Sequence, residues 1–165
     1  MPPADRQQEP YRSCLAEALR YLARRMHSRA EMQARLARRH APSVVEATLA
    51  HLERRGYLDD ARFALARAQA ALERHHGRRR AMADLLRCGV SRDVAERAVG
   101  EVYAQADTPS VARQLALKHA PRLRKLDPQV ARRRLAGMLQ RRGFDYDAIK
   151  PVIDEVLGHG NEDAL

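Results

Sequence analysis

The chain of 165 residues lacks the features of several common protein classes. Its two cysteines, Cys14 and Cys88, form no Cys-x-x-Cys pair, which argues against a disulfide framework or a zinc knuckle. The first residues lack the apolar core of a signal peptide, and no apolar run approaches the ~18 residues of a membrane span. We therefore expect a soluble, cytoplasmic protein with reduced thiols and no membrane contact.

Aromatic residues are also scarce, at 4% of the chain with no Trp. Apolar residues make up 45% and charged residues 32%, which is a globular rather than a disordered composition. The core must be built mainly from Leu, Val and Ala, and such side chains suit close-packed helices better than a β-sandwich. Because no segment alternates apolar and polar residues long enough for a strand, we predict an all-α protein.

Apolar residues recur at spacings of three and four, which is typical of amphipathic helices. The first such stretch covers residues 11–27 and follows a polar, Pro-rich start. Two capping boxes, Ser28 with Glu31 and Ser43 with Glu46, predict where the next two helices begin.

The later helices also have recognisable starts and ends. A capping residue is expected at Asp59 or Asp60 and again at Ser91. Thr108 and Asp127 each place a cap before a proline at the first helical position. Glycine often ends a helix because it adopts a left-handed φ without strain. The glycines expected at helix ends are Gly56, Gly77, Gly89, Gly143 and Gly158.

A pattern of apolar residues repeats along the chain. The set that begins at Met32 recurs 49 and 103 residues later. Gly89 and Gly143 occupy the same turn in two copies, where the first copy has His40. A short helix, a tight turn and a second helix thus occur three times, and a third helix links each copy to the next. Each unit is too small to bury its own apolar face, so neighbours must stack.

We therefore predict about nine helices in an elongated, curved array of three tandem three-helix repeats. The alternative is convergence, since any amphipathic helical hairpin has Leu at spacings of four. The predicted organisation is a flexible N-terminal arm over residues 1–9, repeats over residues 10–60, 61–106 and 107–157, and a polar, acidic tail over residues 158–165.

The charge balance is strongly basic, with 31 Lys and Arg against 21 Asp and Glu and a formal net charge of +10. Most of these cations are Arg, whose planar donors match phosphate and carboxylate groups. The excess favours contact with a polyanion or an acidic protein surface, although an Arg-rich genome would also supply solubilising charge. Residues 107–142 hold ten basic and two acidic residues, whereas residues 143–165 hold one basic and six acidic residues.

Three basic clusters are candidates for the contact surface. One lies in the first repeat, one follows the adjacent histidines His75 and His76, and one surrounds the helix after Pro128. Guanidinium groups and the backbone donors of a helix start can bind phosphate. Alternatively, exposed cations can serve only to keep the outer face of a helix in contact with water, or they can form an ion pair with a nearby acid. The candidate residues are Arg24, Arg25, Arg35, Arg38, Arg39, Arg78, Arg79, Arg80, Arg122, Arg124, Lys125, Arg133, Arg134 and Arg141.

Other conspicuous residues have simpler structural interpretations. Asp59 and Asp60 resemble a metal or acid–base pair, but their place before a helix favours capping. Tyr57 and Phe63 are expected in the core between helices rather than as base-stacking platforms, because no run of exposed aromatics accompanies them. The chain has no nucleotide-binding, serine-hydrolase or zinc-protease motif, so we expect no catalytic activity, no cofactor and no metal.

Several blocks of the sequence resemble the RecX family. The likeness covers residues 11–157, and its most specific part is Leu58-Asp59-Asp60 followed by Phe63-Ala64. The other blocks that carry it are the pattern over residues 18–36 with Ser28, Glu31 and Met32, the stretch from Gly77 and Arg80 to Gly89-Val90, and Arg141-Arg142-Gly143-Phe144.

The resemblance implies tandem three-helix repeats and a non-enzymatic modulator of the bacterial recombinase RecA, active in DNA repair and the SOS response. Members of the family bind the RecA–DNA filament and typically inhibit ATP hydrolysis, strand exchange and the co-protease response. Arg80 matches a recurrent arginine of the family. The chain departs from the family pattern at His40 in place of glycine, Arg78 in place of proline, and Ala81 in place of a larger aliphatic residue.

Two functions remain open from the residues themselves. The first is a monomeric regulator whose basic faces contact the RecA filament and the phosphates of single- or double-stranded DNA. The second is an independent DNA- or RNA-binding helical repeat protein with no dependence on a recombinase. No helix stands out with base-reading side chains, so contact with phosphate alone does not separate the two.

Overall fold

The computed structural model describes the backbone of residues 3–158 and the side chains of residues 8–158. Over this part of the chain it contains nine α-helices and no β-strand, which confirms the predicted all-α class. The helices are α1 (Pro3–Leu22), α2 (Arg29–Leu36), α3 (Pro42–Arg54), α4 (Asp60–Glu73), α5 (Arg78–Arg87), α6 (Arg92–Ala104), α7 (Thr108–Leu123), α8 (Pro128–Arg141) and α9 (Tyr146–Leu157).

Four of the predicted helix starts have the expected side-chain caps. At the start of α6, the hydroxyl of Ser91 accepts a hydrogen bond of 3.4 Å from the backbone N–H of Val94. The hydroxyl of Ser28 accepts a hydrogen bond of 3.1 Å from the backbone N–H of Glu31 at the start of α2. The carboxylate of Asp59 accepts one of 2.9 Å from the N–H of Arg62 at the start of α4. Asp127 accepts two backbone N–H bonds of 3.0 and 3.2 Å at the start of α8. Each of these side chains accepts hydrogen bonds from backbone N–H groups that have no partner within the helix.

Two of the predicted caps are wrong. Helix α3 begins at Pro42 after Ala41, whose side chain makes no capping bond, and Ser43 lies inside its first turn. Proline at the first helical position needs no N–H partner and has a helical φ already, so the helix starts before the capping box. Helix α7 is capped by Asp107, which accepts a backbone N–H bond of 3.1 Å, rather than by Thr108.

The first helix begins earlier than its predicted start at Tyr11. Residues 3–9, which we assigned to a loose arm, belong to α1. The helix starts at Pro3, where proline fits the first turn, and it continues through Pro10. The predicted acidic tail lies outside the described residues beyond Gly158, and the predicted repeat boundaries stay a prediction.

Most of the expected glycines do end helices. Gly56, Gly89, Gly143 and Gly158 have φ values of 70°, 76°, 88° and 79°. Helix α4 ends differently, because the left-handed residue after it is His75, with a φ of 56°, and not a glycine. The glycine two residues later serves a close contact instead, as shown below.

The described residues form two compact units. The first contains the residues up to Ala66 together with Leu85–Ala95, and the second contains Arg67–Asp84 and the residues from Glu96 onward. Helices α1, α2 and α3 pack together in the first unit around Cys14, Ala18, Met32, Leu36, Val45, Leu49, Leu52 and Leu58. Helices α7, α8 and α9 pack together in the second around Ala112, Leu115, Ala116, Ala120, Leu135, Leu139, Phe144, Ile149, Val152, Ile153 and Val156.

These cores are rich in Ala and Leu, as the composition requires, and each buries the apolar stripe of its helices. Ala81, where the family pattern has a larger residue, is buried as well. None of the helices in the described part of the chain is long and apolar enough to cross a membrane.

Candidate functional site

The start of α2 is anchored by side chains from distant parts of the first unit. The fully buried hydroxyl of Ser28 donates a 2.5 Å hydrogen bond to the carbonyl oxygen of Cys88, just after α5. The carboxylate of Asp60 accepts a 2.7 Å bond from the backbone N–H of Arg29. Asp60 therefore accepts a hydrogen bond from a backbone N–H at the start of α2 that has no partner within that helix. The residues next to Asp60 in the sequence give no sign of this role.

The start of α5 is anchored in a similar way within the second unit. The backbone N–H of Gly77 donates a 2.7 Å bond to the carbonyl oxygen of Arg142, and the N–H of Arg79 donates a 3.2 Å bond to that of Gly143. A Cβ atom at Gly77 would lie 2.2 Å from the Gly143 oxygen. The side chain of Arg142 donates a 3.2 Å bond to the carbonyl oxygen of Arg74.

Three of the candidate arginines in the first unit contact other side chains. Arg25 forms a 3.0 Å ion pair with Glu31 and also donates to a backbone carbonyl. Although burial raises the pKa of Glu31, the hydrogen bond and charge of Arg25 lower it below its ordinary value. The guanidinium of Arg35 lies 5.1 Å from the ring centre of Tyr21, a cation–π distance. Arg24 is also exposed, but its side chain forms no ion pair or hydrogen bond with another described residue.

His40, which replaces a glycine of the family pattern, forms a hydrogen bond with a buried acid. Its Nε2 atom lies 2.9 Å from a carboxylate oxygen of Glu17, which is 7% exposed. The hydroxyl of Tyr21 donates to the same carboxylate at 3.0 Å, and Arg39 lies 3.9 Å away. The hydrogen bond from His40 is the main cause that lowers the pKa of Glu17. Because His40 does not adopt a positive φ, this turn differs from the glycine turns at Gly89 and Gly143.

The arginines at the start of α5 differ in how firmly they are held. Arg80 forms a 3.3 Å ion pair with Asp84, one helical turn later. Arg79 lies 3.5 Å from Asp145, but both side chains are largely exposed, so this pair adds little stability. Arg78 is exposed and has no such partner among the described residues.

The cations around α8 divide in the same way. Arg124 donates a 2.9 Å hydrogen bond to the carbonyl oxygen of Val156. Arg132, which we did not predict as a site residue, pairs with Asp154 and donates to the carbonyl oxygen of Gly158. The remaining cations of this region are exposed, and no ion pair or hydrogen bond with another described residue holds them; they are Arg122, Lys125, Arg133, Arg134 and Arg141.

The candidate residues therefore fall into two groups. Local contacts already hold Arg25, Arg35, Arg39, Arg79, Arg80 and Arg124. The side chains of the other eight are exposed and make no hydrogen bond or ion pair in the described part of the chain: Arg24, Arg38, Arg78, Arg122, Lys125, Arg133, Arg134 and Arg141. We call this second set the free cations. An anionic partner can contact them without breaking an ion pair.

Of the two aromatic residues that we expected in the core, one is buried and the other is exposed. Phe63 is buried, as predicted, but Tyr57 is 56% exposed and does not belong to the core. It follows Gly56 at the end of α3.

Sequence reasoning missed one cationic groove in the second unit. An open groove of about 200 Å³ lies between α8 and α9 and is lined by Arg132, Arg133, Ala136, Tyr146, Lys150 and Ile153. Tyr146 is 56% exposed. The spacing of four between Tyr146 and Lys150 places both on one helix face, and this wall is the only part of the groove that the sequence pattern could have shown.

Two histidines have a buried ring nitrogen without a hydrogen bond. They are His27 and His76, and the atom in each case is Nδ1; that of His27 lies 3.4 Å from a carboxylate oxygen of Glu31. Burial lowers the pKa of both, and the nearby charges of Arg142 and Arg80 lower that of His76 further. No group of three or more His, Cys, Asp or Glu in the described part of the chain could hold a metal ion.

Known families and proteins match this chain along most of its length. Three RecX family models match, the first three-helix domain at residues 14–52, the second at residues 59–99 and the third at residues 107–153. These matches confirm the three tandem three-helix domains and the resemblance seen in the sequence.

Relatives of this chain are named as regulatory proteins. A protein of Amycolatopsis mediterranei (strain U-32) named "Regulatory protein RecX" is 34% identical, over 100% of this chain and 96% of its own length. One of the same name from Thermobifida fusca (strain YX) is 37% identical, over 92% of this chain and 83% of its own length. The crystal structure of RecX from Lactobacillus salivarius has a TM-score of 0.80 at 20% identity and covers 90% of this chain and 97% of its own, a likeness in fold.

Proposed function

Since this chain belongs to the RecX family of regulatory proteins, we propose that it binds the filament of the RecA recombinase on DNA and inhibits its ATPase, strand-exchange and co-protease activities. It does so as a monomer in the cytoplasm and without catalysing a reaction itself. Its partners are the RecA filament and the phosphates of the DNA that the filament holds.

The free cations are the observation that carries this proposal. They occur in both compact units, and each can reach a phosphate or a carboxylate without giving up an internal contact. One exposed ion pair contributes little, but several contacts on one chain raise the overall affinity because later contacts form at a high effective concentration. Cations that neutralise phosphates also gain by releasing counterions.

The anchored helix starts support the same function. The free cation Arg78 begins α5, whose preceding residue Gly77 is bonded to Arg142. This contact holds the cation on a fixed backbone and lowers the entropy that binding costs. A chain that contacts neighbouring RecA subunits would favour one filament state over another. Such a preference shifts the population of that state and so changes ATP turnover without any catalytic group from this chain.

A second candidate is a nucleic-acid-binding protein that acts without a recombinase. The same free cations favour it, because phosphate contacts are independent of sequence and partner. It takes second place because the relatives that match nearly the whole chain are named as regulatory proteins.

Binding to RecA filaments and to bare DNA under identical conditions tests the proposal. The protein is titrated into labelled DNA at about 0.15 M salt, where exposed charges are screened beyond ~8 Å. Parallel samples contain the same DNA coated with RecA and a slowly hydrolysed ATP analogue. We expect binding to the filament to be tighter by about tenfold or more, which is ~1.4 kcal/mol. Equal affinity for both forms would favour the second candidate.

A further inference from the structure

The groove between α8 and α9 is cationic and has no acidic wall. Three of its lining side chains are basic: Arg132, Arg133 and Lys150. Arg132 is neutralised by Asp154, which leaves the other two. Neither Arg133 nor Lys150 makes a hydrogen bond or ion pair with another described residue.

The acids nearest in sequence do not cancel this charge. Asp145 is directed to Arg79, at 3.5 Å, and Asp154 to Arg132. Asp147 is exposed in the first turn of α9 and does not line the groove. The groove therefore offers two uncompensated cations to an anion.

The same groove contains an exposed aromatic ring. Tyr146 is 56% exposed although the chain has only five Tyr and two Phe. A ring left in solvent beside cations gains little from the core, but it is a surface on which a base can stack. Ala136 and Ile153 form the apolar remainder of the groove.

We propose that this groove binds one nucleotide of a single-stranded nucleic acid. The base stacks on Tyr146, and the phosphates on either side of it contact Arg133 and Lys150. The inference rests on the DNA contact in the proposed function and assigns it a position and a strand preference. Bases of a duplex are stacked on each other and are not available to Tyr146, so the groove favours single strands over duplexes.

Fluorescence anisotropy with a labelled oligothymidylate and a duplex of the same length tests this directly, using the full chain without RecA. Tyr146→Ala is expected to weaken oligothymidylate binding by about fivefold or more, because stacking contributes ~1–3 kcal/mol per base. Duplex binding is expected to stay within about twofold. Tyr146→Phe keeps the ring and should retain single-strand binding. Tyr57→Ala is the matched control, since Tyr57 is exposed to the same extent but does not line the groove.

A photochemical cross-link supplies a second readout that does not depend on affinity. An oligonucleotide with 5-iododeoxyuridine is expected to cross-link to the tryptic peptide that begins at Gly143, and the cross-link should disappear in Tyr146→Ala. The inference is overturned if Tyr146→Ala binds oligothymidylate as tightly as the wild type does, if it loses single strand and duplex equally, or if the cross-link maps elsewhere.

The outcome also separates this inference from the proposed function. If the protein inhibits RecA but its binding to oligothymidylate does not depend on Tyr146, the nucleotide site in the groove is rejected and the proposed regulation of RecA is retained. If binding to oligothymidylate depends on Tyr146 but the protein does not affect RecA, the nucleotide site is retained and the proposed regulation of RecA is rejected.

Discussion

The backbone N–H of Gly77 donates a 2.7 Å hydrogen bond to the carbonyl oxygen of Arg142, which joins the start of α5 to the end of α8. In the first unit the equivalent contact is made by the hydroxyl of Ser28, which donates to the carbonyl oxygen of Cys88 at 2.5 Å. Ser28 and Gly77 are 49 residues apart, the spacing of the repeat. The repeat thus conserves the contact while it changes the donor from a side chain to the backbone.

Gly77→Ala is expected to destabilise the protein. The new Cβ atom would lie 2.2 Å from the carbonyl oxygen of Gly143 and 2.5 Å from the N–H of Phe144, so the backbone must shift. Overpacking of this kind costs about 1–3 kcal/mol. Gly100→Ala is the control, because nothing lies within 4 Å of its Cβ position, and it should stabilise helix α6 by about 0.5–1 kcal/mol. Urea unfolding of both variants measures the difference, and equal stabilities would contradict the close contact.

Ser28→Ala and Ser43→Ala are expected to differ, although both serines precede a glutamate by three residues. The Ser28 hydroxyl caps α2 and donates a hydrogen bond to the carbonyl oxygen of Cys88. Its loss should therefore lower the free energy of unfolding by about 1–3 kcal/mol. Ser43 caps nothing, so its replacement should change the free energy of unfolding by less than about 0.5 kcal/mol. Thermal or urea unfolding tests the pair. A larger loss for Ser43→Ala would restore the capping box that the sequence predicted.

The pair of Glu17 and His40 makes the stability of the first unit sensitive to acid. A carboxyl whose pKa is lowered by folding stabilises the protein above its unfolded pKa and loses that contribution as the pH falls through the folded pKa. The pKa of Glu17 is lowered from its ordinary value of 4.5, chiefly by the hydrogen bond from His40. The free energy of unfolding should therefore decrease as the pH falls below 4.5.

Two variants isolate this effect. His40→Ala removes the main partner of Glu17 and leaves the carboxylate with the hydroxyl of Tyr21, so it should cost about 1–3 kcal/mol at neutral pH. Glu17→Gln removes the titrating group. Both should show a smaller loss of stability below pH 4.5 than the wild type, measured by urea unfolding at a series of pH values. Identical pH profiles for all three proteins would contradict a role for this pair.

Charge reversal at the free cations of α8 should weaken inhibition of RecA. Arg133→Glu with Arg134→Glu removes two exposed cations that no local acid holds, and repels phosphate. We expect the concentration needed for half inhibition to rise by about tenfold, or ~1.4 kcal/mol, with helicity unchanged. Arg54→Glu with Arg55→Glu is the control of equal charge, at the end of α3 and outside the candidate set. If both double variants weaken inhibition equally, net charge alone accounts for the effect and the cations of α8 have no specific role.

The fold could be predicted from the sequence where local chemistry decides the structure. Ser28, Asp59 and Asp127 cap helices as expected, because a side chain that accepts nearby N–H bonds acts within a few residues. The predictions failed at Ser43 and Thr108, where a neighbouring residue begins the helix instead. Two local solutions compete there, and the sequence pattern does not rank them.

The functional surface was less predictable, because it depends on partners that are distant along the chain. Fourteen basic residues had the same appearance in the sequence, but only contacts such as Arg124 with the carbonyl of Val156 separate held cations from free ones. Tyr57 was assigned to the core because it is aromatic, but its ring is exposed, whereas Val90 and Phe144, which follow the glycines of equivalent turns, are buried. The groove at Tyr146 forms between two helices and has no counterpart in either helix alone.

DNA-dependent ATP hydrolysis by RecA from the same organism, with this protein titrated in, tests the proposed regulation most directly. The assay is run at about 0.15 M salt or above, so that screening suppresses simple competition for DNA. We expect inhibition at well below one copy per RecA subunit, as binding along or at the end of a filament requires. Unchanged ATP hydrolysis, with binding to bare DNA intact, would contradict the proposal and leave an independent nucleic-acid-binding protein.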